Sequence, residues 1–196
     1  MAQTSLDAPE IRHAHLQKGQ PMRATTTPRI YIACLASYNA GILHGKWFDI
    51  DDYSDVEELQ GAINEMLAES PEPDAEEYAI HDWEGFGGYN VEEYDSISDL
   101  FTIGELIGKH GTIIADFLGH YMCDLSELAE KFYEAYCGCY KDEEEYASEL
   151  FDELYAHDIP DNVKFYIDYA LFTRDLFTSD CFSISDDDGC HVFYNI

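Results

Sequence analysis

A chain of 196 residues with 46% hydrophobic and 14% aromatic side chains can bury a core, so a formal charge of −31 does not mark it as a disordered polyanion. That charge, with no basic patch in the sequence, excludes nucleic acid and anionic membranes as partners. No run reaches the roughly 18 apolar residues of a membrane span, no apolar signal core opens the chain, and six cysteines are too sparse for a disulfide scaffold, which together predict reduced thiols and a cytoplasmic location.

Residues 1–29 read as a flexible tail, rich in Gln, Thr, Pro and His and ending at Thr25-Thr26-Thr27-Pro28. Ile30 to Ala36 is a β-rich apolar run. Ser37 to Gly41 signals a turn, and Ile42 to Ile50 a second strand, which predicts a hairpin. Ser54 and Glu57 fit a capping box that opens a helix to about Glu69, with Val56, Leu59, Ile63, Met66 and Leu67 inward. Pro71 and Pro73 stop it. Tyr78 to Glu84 reads as a third strand, and Gly85, Gly87 and Gly88 break the chain after it.

From Val91 the periodicity is helical. Ser96 to Asp99 and Asp124 to Glu127 are start signals, and Gly111 divides two helices. Leu100, Ile103, Leu106 and Ile107, then Ile113, Ile114, Phe117 and Leu118, are the inward candidates, and this helical stretch runs to about Lys131. Phe132 to Tyr140 reads as an aromatic strand. Lys141 to Ala156 is a helix with Tyr146, Ala147, Leu150, Phe151 and Leu154 inward and acids over the rest. Another helix is predicted from Ile159 to about Arg174, with Val163, Tyr166, Ile167, Ala170 and Leu171 inward. Cys181 to Ser185 and Cys190 to Tyr194 flank an Asp186-Asp187-Asp188-Gly189 hairpin turn. The fold class is α+β, cut into residues 1–29 (tail), 30–90 (sheet plus helix), 91–131 (helical) and 132–196 (α+β).

The charge is unevenly placed. The first 29 residues hold four of the ten cations and two of the 41 acids, so the other 167 hold six and 39. In the Lys141–Ala156 helix, Glu143, Glu144, Glu145, Glu149, Asp152 and Glu153 face outward with no cation interleaved at i,i+4. Carboxylates one helical turn apart, about 6 Å, repel by roughly 0.7 kcal/mol in water. Solubility needs a net charge of only about 2–8. The partner implied is a cation-rich surface, a metal ion or a very salty solvent.

Chemistry with a sharper signature is missing. With Gly189 at position 6 of a calcium loop, Ile184 falls at position 1 and Asn195 at 12, so the EF-hand pattern fails and a solvated turn is preferred. Cys137 and Cys139, with Cys123 and His120, form no CxxC pair, and alternate strand cysteines are expected to pack in a core. There is no GxSxG, HExxH or P-loop. His81 reads as a packing residue. Catalytic residues, metal and cofactors are therefore expected to be absent. Three accounts of the acids remain: an acidic halotolerant or adaptor protein, a hydrolase or metal enzyme with a shielded carboxylate pair, and mimicry of a DNA backbone, which carries about one charge per 1.7 Å of axis.

Residue patterns point to a family. From Ile30 to the C-terminus the chain resembles the ArdA antirestriction proteins, in Ile30-Tyr31-Ile32-Ala33, Tyr38-Asn39-Ala40-Gly41, Gly45-Lys46-Trp47-Phe48-Asp49, Glu77 to Phe86, Tyr166-Ile167-Asp168-Tyr169-Ala170, Arg174-Asp175-Leu176 and Gly189-Cys190-His191-Val192-Phe193. The resemblance implies an elongated protein of three small units, a homodimer joined through the C-terminal unit. It also implies a non-enzymatic inhibitor that occupies the basic DNA-binding groove of type I restriction–modification enzymes as a bent B-DNA mimic. The helix from Asp142 to Glu153 looks like the family's antirestriction motif. The carboxylates expected to meet the partner are then Asp142, Glu143, Glu144, Glu145, Glu149, Asp152 and Glu153. Glu92, Glu93, Asp95, Asp99, Glu105 and Asp116 extend the array, as do Glu76, Glu77, Asp82 and Glu84. Two chains carry 62 net charges, twice 31, equal to roughly 105 Å or about 30 base pairs of duplex.

Overall fold

The structure is a computed structural model that describes residues 27–196. The predicted tail lies outside the described residues except for its last three. Arg29 of that tail already starts a strand. The described chain is α+β and divides into two compact units, residues 27–129 and 130–196.

In the first unit, β1 (Arg29–Cys34), β2 (Gly45–Asp49) and β3 (Tyr78–Glu84) form an antiparallel sheet in the order β2-β1-β3. Ile30, Ile32, Phe48 and Ile80 are buried from the sheet. Helix α2 (Val56–Ala68) supplies Leu59, Ile63, Met66 and Leu67. Each such side chain stabilises the fold by about 1.5–3 kcal/mol. The connection between β1 and β2 is longer than expected, and the strands it joins are shorter. β1 ends at Cys34, and Leu35–Asn39 form a short helix, α1, where a turn was predicted. Gly41, at φ +78, then reverses the chain. β2 begins at Gly45, since the ladder starts only where Gly45 pairs with Ala33. Ile42 and Leu43, predicted as strand, are exposed loop.

The capping box of α2 sits one residue later than predicted. Asp55 Oδ1 accepts from Glu58 N at 2.8 Å, and Glu58 Oε2 accepts from Ser54 N at 2.8 Å. Asp55 takes the role because its extended backbone aims the carboxylate at the first turn. In β3, Tyr31 pairs with Asp82 but Ile32 with Ile80, so His81 bulges out. It is exposed rather than packed, and its ring lies edge-on to Tyr38 at 4.9 Å.

Helices α3 (Ile97–His110), α4 (Ile113–Tyr121) and α5 (Leu125–Ala135) follow, with Gly111 at φ +81 between the first two. The predicted strand 132–140 loses its first four residues to α5. Leu128, Phe132 and Ala135 are buried at i, i+4 and i+7, so the helical period outlasts the aromatic composition.

In the second unit, β4 (Tyr136–Tyr140), β5 (Cys181–Ser185) and β6 (Cys190–Tyr194) form an antiparallel sheet in the order β4-β6-β5. Helix α6 (Glu143–Tyr155) buries Tyr146, Ala147 and Leu150, and Tyr146 donates to the Tyr194 hydroxyl at 3.0 Å. Its Phe151 stands edge-on to Tyr169 and Phe172 of α8 (Tyr169–Ser179). The single predicted helix 159–174 is two: α7 (Asp161–Lys164) and α8. Asp168 caps α8 by accepting from Leu171 N at 3.0 Å. That new start resets the register. Thr173 and Leu176 are buried, while Val163, Tyr166, Ala170 and Leu171, predicted inward, are exposed. Cys137 is buried as expected, but Cys139 is exposed, its Sγ 3.7 Å from the Asp188 carbonyl.

A candidate anionic interface

The acids of α6 divide by what holds them. Asp142 Oδ1 accepts from Glu145 N at 2.9 Å, and Glu145 Oε2 accepts from Lys141 N at 2.7 Å. The Glu145 amide, helped by Lys141, holds the Asp142 carboxyl below its usual range. Glu143 is half-buried and accepts from Ser183 Oγ at 2.7 Å. These acids and Glu144 occupy the cap and first turn, where the helix dipole favours anions. Glu149, Asp152 and Glu153 lie in the later turns, where it does not, and no cation occupies the last turn. All three are exposed. Asp152 accepts from Tyr169 Oη at 3.0 Å, on the α8 side. Glu145, Glu149 and Glu153 recur at i, i+4 and i+8 of the same helix. Burial, then the Cys137 thiol, then Glu149, Glu145 and Glu153 hold the Tyr140 phenol well above its usual range.

The first unit repeats this arrangement of acids about a tyrosine. Burial, then Asp95, Asp99 and Glu92, raise the Tyr89 phenol. Asp95 Oδ2 accepts from Glu92 N at 2.9 Å and so closes the turn before α3. A second group was not predicted. Burial, then Asp52, Asp49, Glu58 and Glu65, raise the Tyr53 phenol. These four acids belong to a strand end, a 3-10 turn (Ile50–Asp52) and one helix face, so no single period collects them. The dense Asp-Ile-Asp-Asp run at 49–52 was the available signal.

Other predicted members have local duties. Arg29 donates to Glu84 Oε2 from Nε at 2.9 Å and Nη2 at 2.7 Å, with its guanidinium 4.7 Å from the Trp47 ring centroid. Glu84 is thereby neutralised at close range. Glu105 pairs with Lys109 at 3.3 Å across one turn. Asp82 accepts from its neighbour Trp83 N at 2.9 Å. Asp116 is half-buried and packs over Gly88, where its carboxylate occupies the space of a side chain. Glu76, Glu77, Glu92, Glu93 and Asp99 are exposed.

Among the described residues, no three His, Cys, Asp or Glu side chains converge as a metal site would require. No described helix is long and apolar enough to cross a membrane. The described acids present many carboxylates to solvent, some of them held at helix starts by backbone hydrogen bonds.

Residues 30–188 match the family model described as Antirestriction protein (ArdA). No curated protein matches the chain. The match covers most of the sequence, and the chain belongs to the ArdA antirestriction family.

Proposed function

We propose that this member of the ArdA family blocks its target by setting carboxylates where that enzyme expects DNA phosphates. The family supplies the coarser statement: antirestriction activity directed at type I restriction–modification enzymes, by inhibitors rather than enzymes. The finer reading is competition for the basic DNA-binding groove, in the cytoplasm, with no reaction catalysed by the chain itself.

One observation carries it. Groups of acids gather beside Tyr53, Tyr89 and Tyr140 and at the capped starts of α2 and α6, at a net charge of −31. Fixed charges lose little entropy when they meet a cationic groove, and they displace its counterions as DNA does. A surface kept acidic only for solubility has no need of such anchoring. In this reading the array runs through three stretches, 30–90, 91–131 and 132–196, and is doubled by self-association through the C-terminal unit. Phe165 and Tyr166, 94% and 85% exposed between α7 and α8, are the residues we assign to that contact.

The test is competition between the purified chain and a DNA duplex for a type I enzyme, over a range of salt. The inhibition constant should weaken steeply and linearly in log–log form as salt rises. A flat profile, or inhibition that excess DNA cannot relieve, rejects groove occupancy while leaving antirestriction itself intact.

A further inference from the structure

The chain from α1 to β2 puts three apolar side chains in water: Tyr38 at 55% exposure, Ile42 at 38% and Leu43 at 91%. No Asp or Glu lies between Leu35 and Phe48, so the acids stand around this face instead of on it. The loop from Glu69 to Glu77 carries five acids and no Lys or Arg. It is fastened beside α1 at two points, by a hydrogen bond between the Ser37 and Ser70 hydroxyls at 2.8 Å and by Leu35 N donating to Glu77 O at 3.0 Å. Glu69, Asp74, Glu76 and Glu77 are exposed on that loop. On the β3 side, the His81 ring stands edge-on to Tyr38 at 4.9 Å, and exposed Asp82 follows it. Lys46, the sole Lys or Arg between Arg29 and Lys109, lies over the Phe48 ring with its Nζ 5.5 Å from the centroid.

The apolar centre is ordered. Ile42 N donates to Ser37 O at 2.9 Å, Gly41 N to Tyr38 O at 3.0 Å, and Cys34 N to His44 O at 2.9 Å. The His44 ring donates from Nε2 to Met66 O at 2.7 Å, which ties the loop to α2. Leu43 is therefore held in water by its neighbours, and an apolar side chain that is already placed can be covered at little entropic cost.

We propose that this face is an apolar anchor for a cation-rich protein surface, with Leu43 entering an apolar recess whose Lys or Arg border meets the acids of the 69–77 loop and Asp82. The proposal rests on the groove-occupying function given above and places that surface on the type I enzyme. Charge selects the occupant. The acid border repels a nucleic-acid backbone and an anionic bilayer. A second copy of the chain across a two-fold axis would set border against border, carboxylate against carboxylate. A basic surface meets the border with opposite charge and leaves the centre to apolar contact, the division of a hot spot from its rim. Imitation of phosphates needs no Leu43. The anchor adds an affinity that a DNA duplex does not have, and that added salt does not screen away.

The experiment measures the inhibition constant of the full chain against a type I enzyme and its DNA duplex over a range of salt, for the wild type and for variants. Leu43→Ser changes no charge, so it should weaken inhibition by about tenfold at every salt concentration while the log–log slope stays as in the wild type. Leu43→Met keeps the apolar bulk and should recover most of that loss. Glu76→Gln with Glu77→Gln should instead make the slope shallower. Melting temperatures confirm that these exposed-site variants fold. Inhibition by Leu43→Ser at wild-type strength, beside a steep wild-type profile, overturns the anchor and leaves groove occupancy standing. A flat wild-type profile rejects groove occupancy, and a tenfold loss in Leu43→Ser would still locate the anchor on the enzyme. An unchanged slope in the Glu76, Glu77 variant overturns the charged border. Sedimentation velocity supplies the last check: if Leu43→Ser loses self-association along with inhibition, the face belongs to a second copy and the proposal falls.

Discussion

Asp142 and Glu145 cap the acidic helix reciprocally, one accepting from the other's backbone amide at 2.9 Å while the second accepts from Lys141 N at 2.7 Å. Charge and folding are thus joined at this end of α6 and separable further along it. Asp142→Asn with Glu145→Gln should lower the melting temperature and weaken inhibition together. Reversal of Glu144, Glu149, Asp152 and Glu153 to Lys should weaken inhibition at least as much with a smaller loss of melting temperature, since it removes repulsion and leaves the cap intact while giving up the Tyr169–Asp152 hydrogen bond. Calorimetry beside an inhibition assay reads both. Inhibition at wild-type strength in the fourfold variant rejects the electrostatic account.

The Asp142 carboxyl has a defined signature in acid. Its folded pKa is depressed, chiefly by the Glu145 amide. The stability it contributes is therefore present above the unfolded carboxylate value of about 3.9 and is lost as pH falls through the lower folded value. Asp142→Asn should be less stable than wild type at neutral pH, with the gap closing in acid. Denaturant titrations at several pH values measure it, and a gap that persists below both values rules out the assigned cause.

Tyr140 reports on the stripe above it. Once burial and the Cys137 thiol have raised its phenol, Glu149, Glu145 and Glu153 raise it further. Glu149→Gln with Glu153→Gln should bring its ionisation to lower pH while leaving it above the ordinary tyrosine range. An ultraviolet difference titration against Tyr140→Phe isolates the signal.

Gly189 closes the β5–β6 turn at φ +146, and an added Cβ would stand 2.7 Å from Tyr140 O and 2.9 Å from Cys139 Sγ. Gly189→Ala should therefore destabilise the chain by about 1–3 kcal/mol, measured by denaturant unfolding.

Cys139 is exposed and Cys137 buried. Burial, Asp186 and Asp188 raise the Cys139 thiol, and burial pushes Cys137 up to about 12. Native alkylation should reach Cys139 well before Cys137, slowly at neutral pH and faster as pH rises. Mass spectrometry of labelled peptides gives the order.

The strands and helices were legible wherever one period ran unbroken, as from Leu59 to Leu67 and from Tyr146 to Leu150. Reading failed where a local contact outranked the period. Asp168 restarted a helix and so turned Tyr166 and Leu171 outward. A bulge after Tyr31 put His81 in solvent. Ser54 offered a cap that Asp55 took. The acids of α6 could be named from the sequence, but which of them serve as caps could not, because that depends on backbone direction at Asp142. The group around Tyr53 was hidden for a related reason: Asp49 and Glu65 meet only through tertiary structure.

The Asp-x-x-Glu caps at Asp55–Glu58 and Asp142–Glu145 set a floor for redesign. A version of this protein stripped of its negative surface, made as an inert control or a crystallisable scaffold, has to keep those four side chains or supply other caps. Stripping can start with Glu92, Glu93 and Glu144, whose removal takes charge without unpinning a helix start.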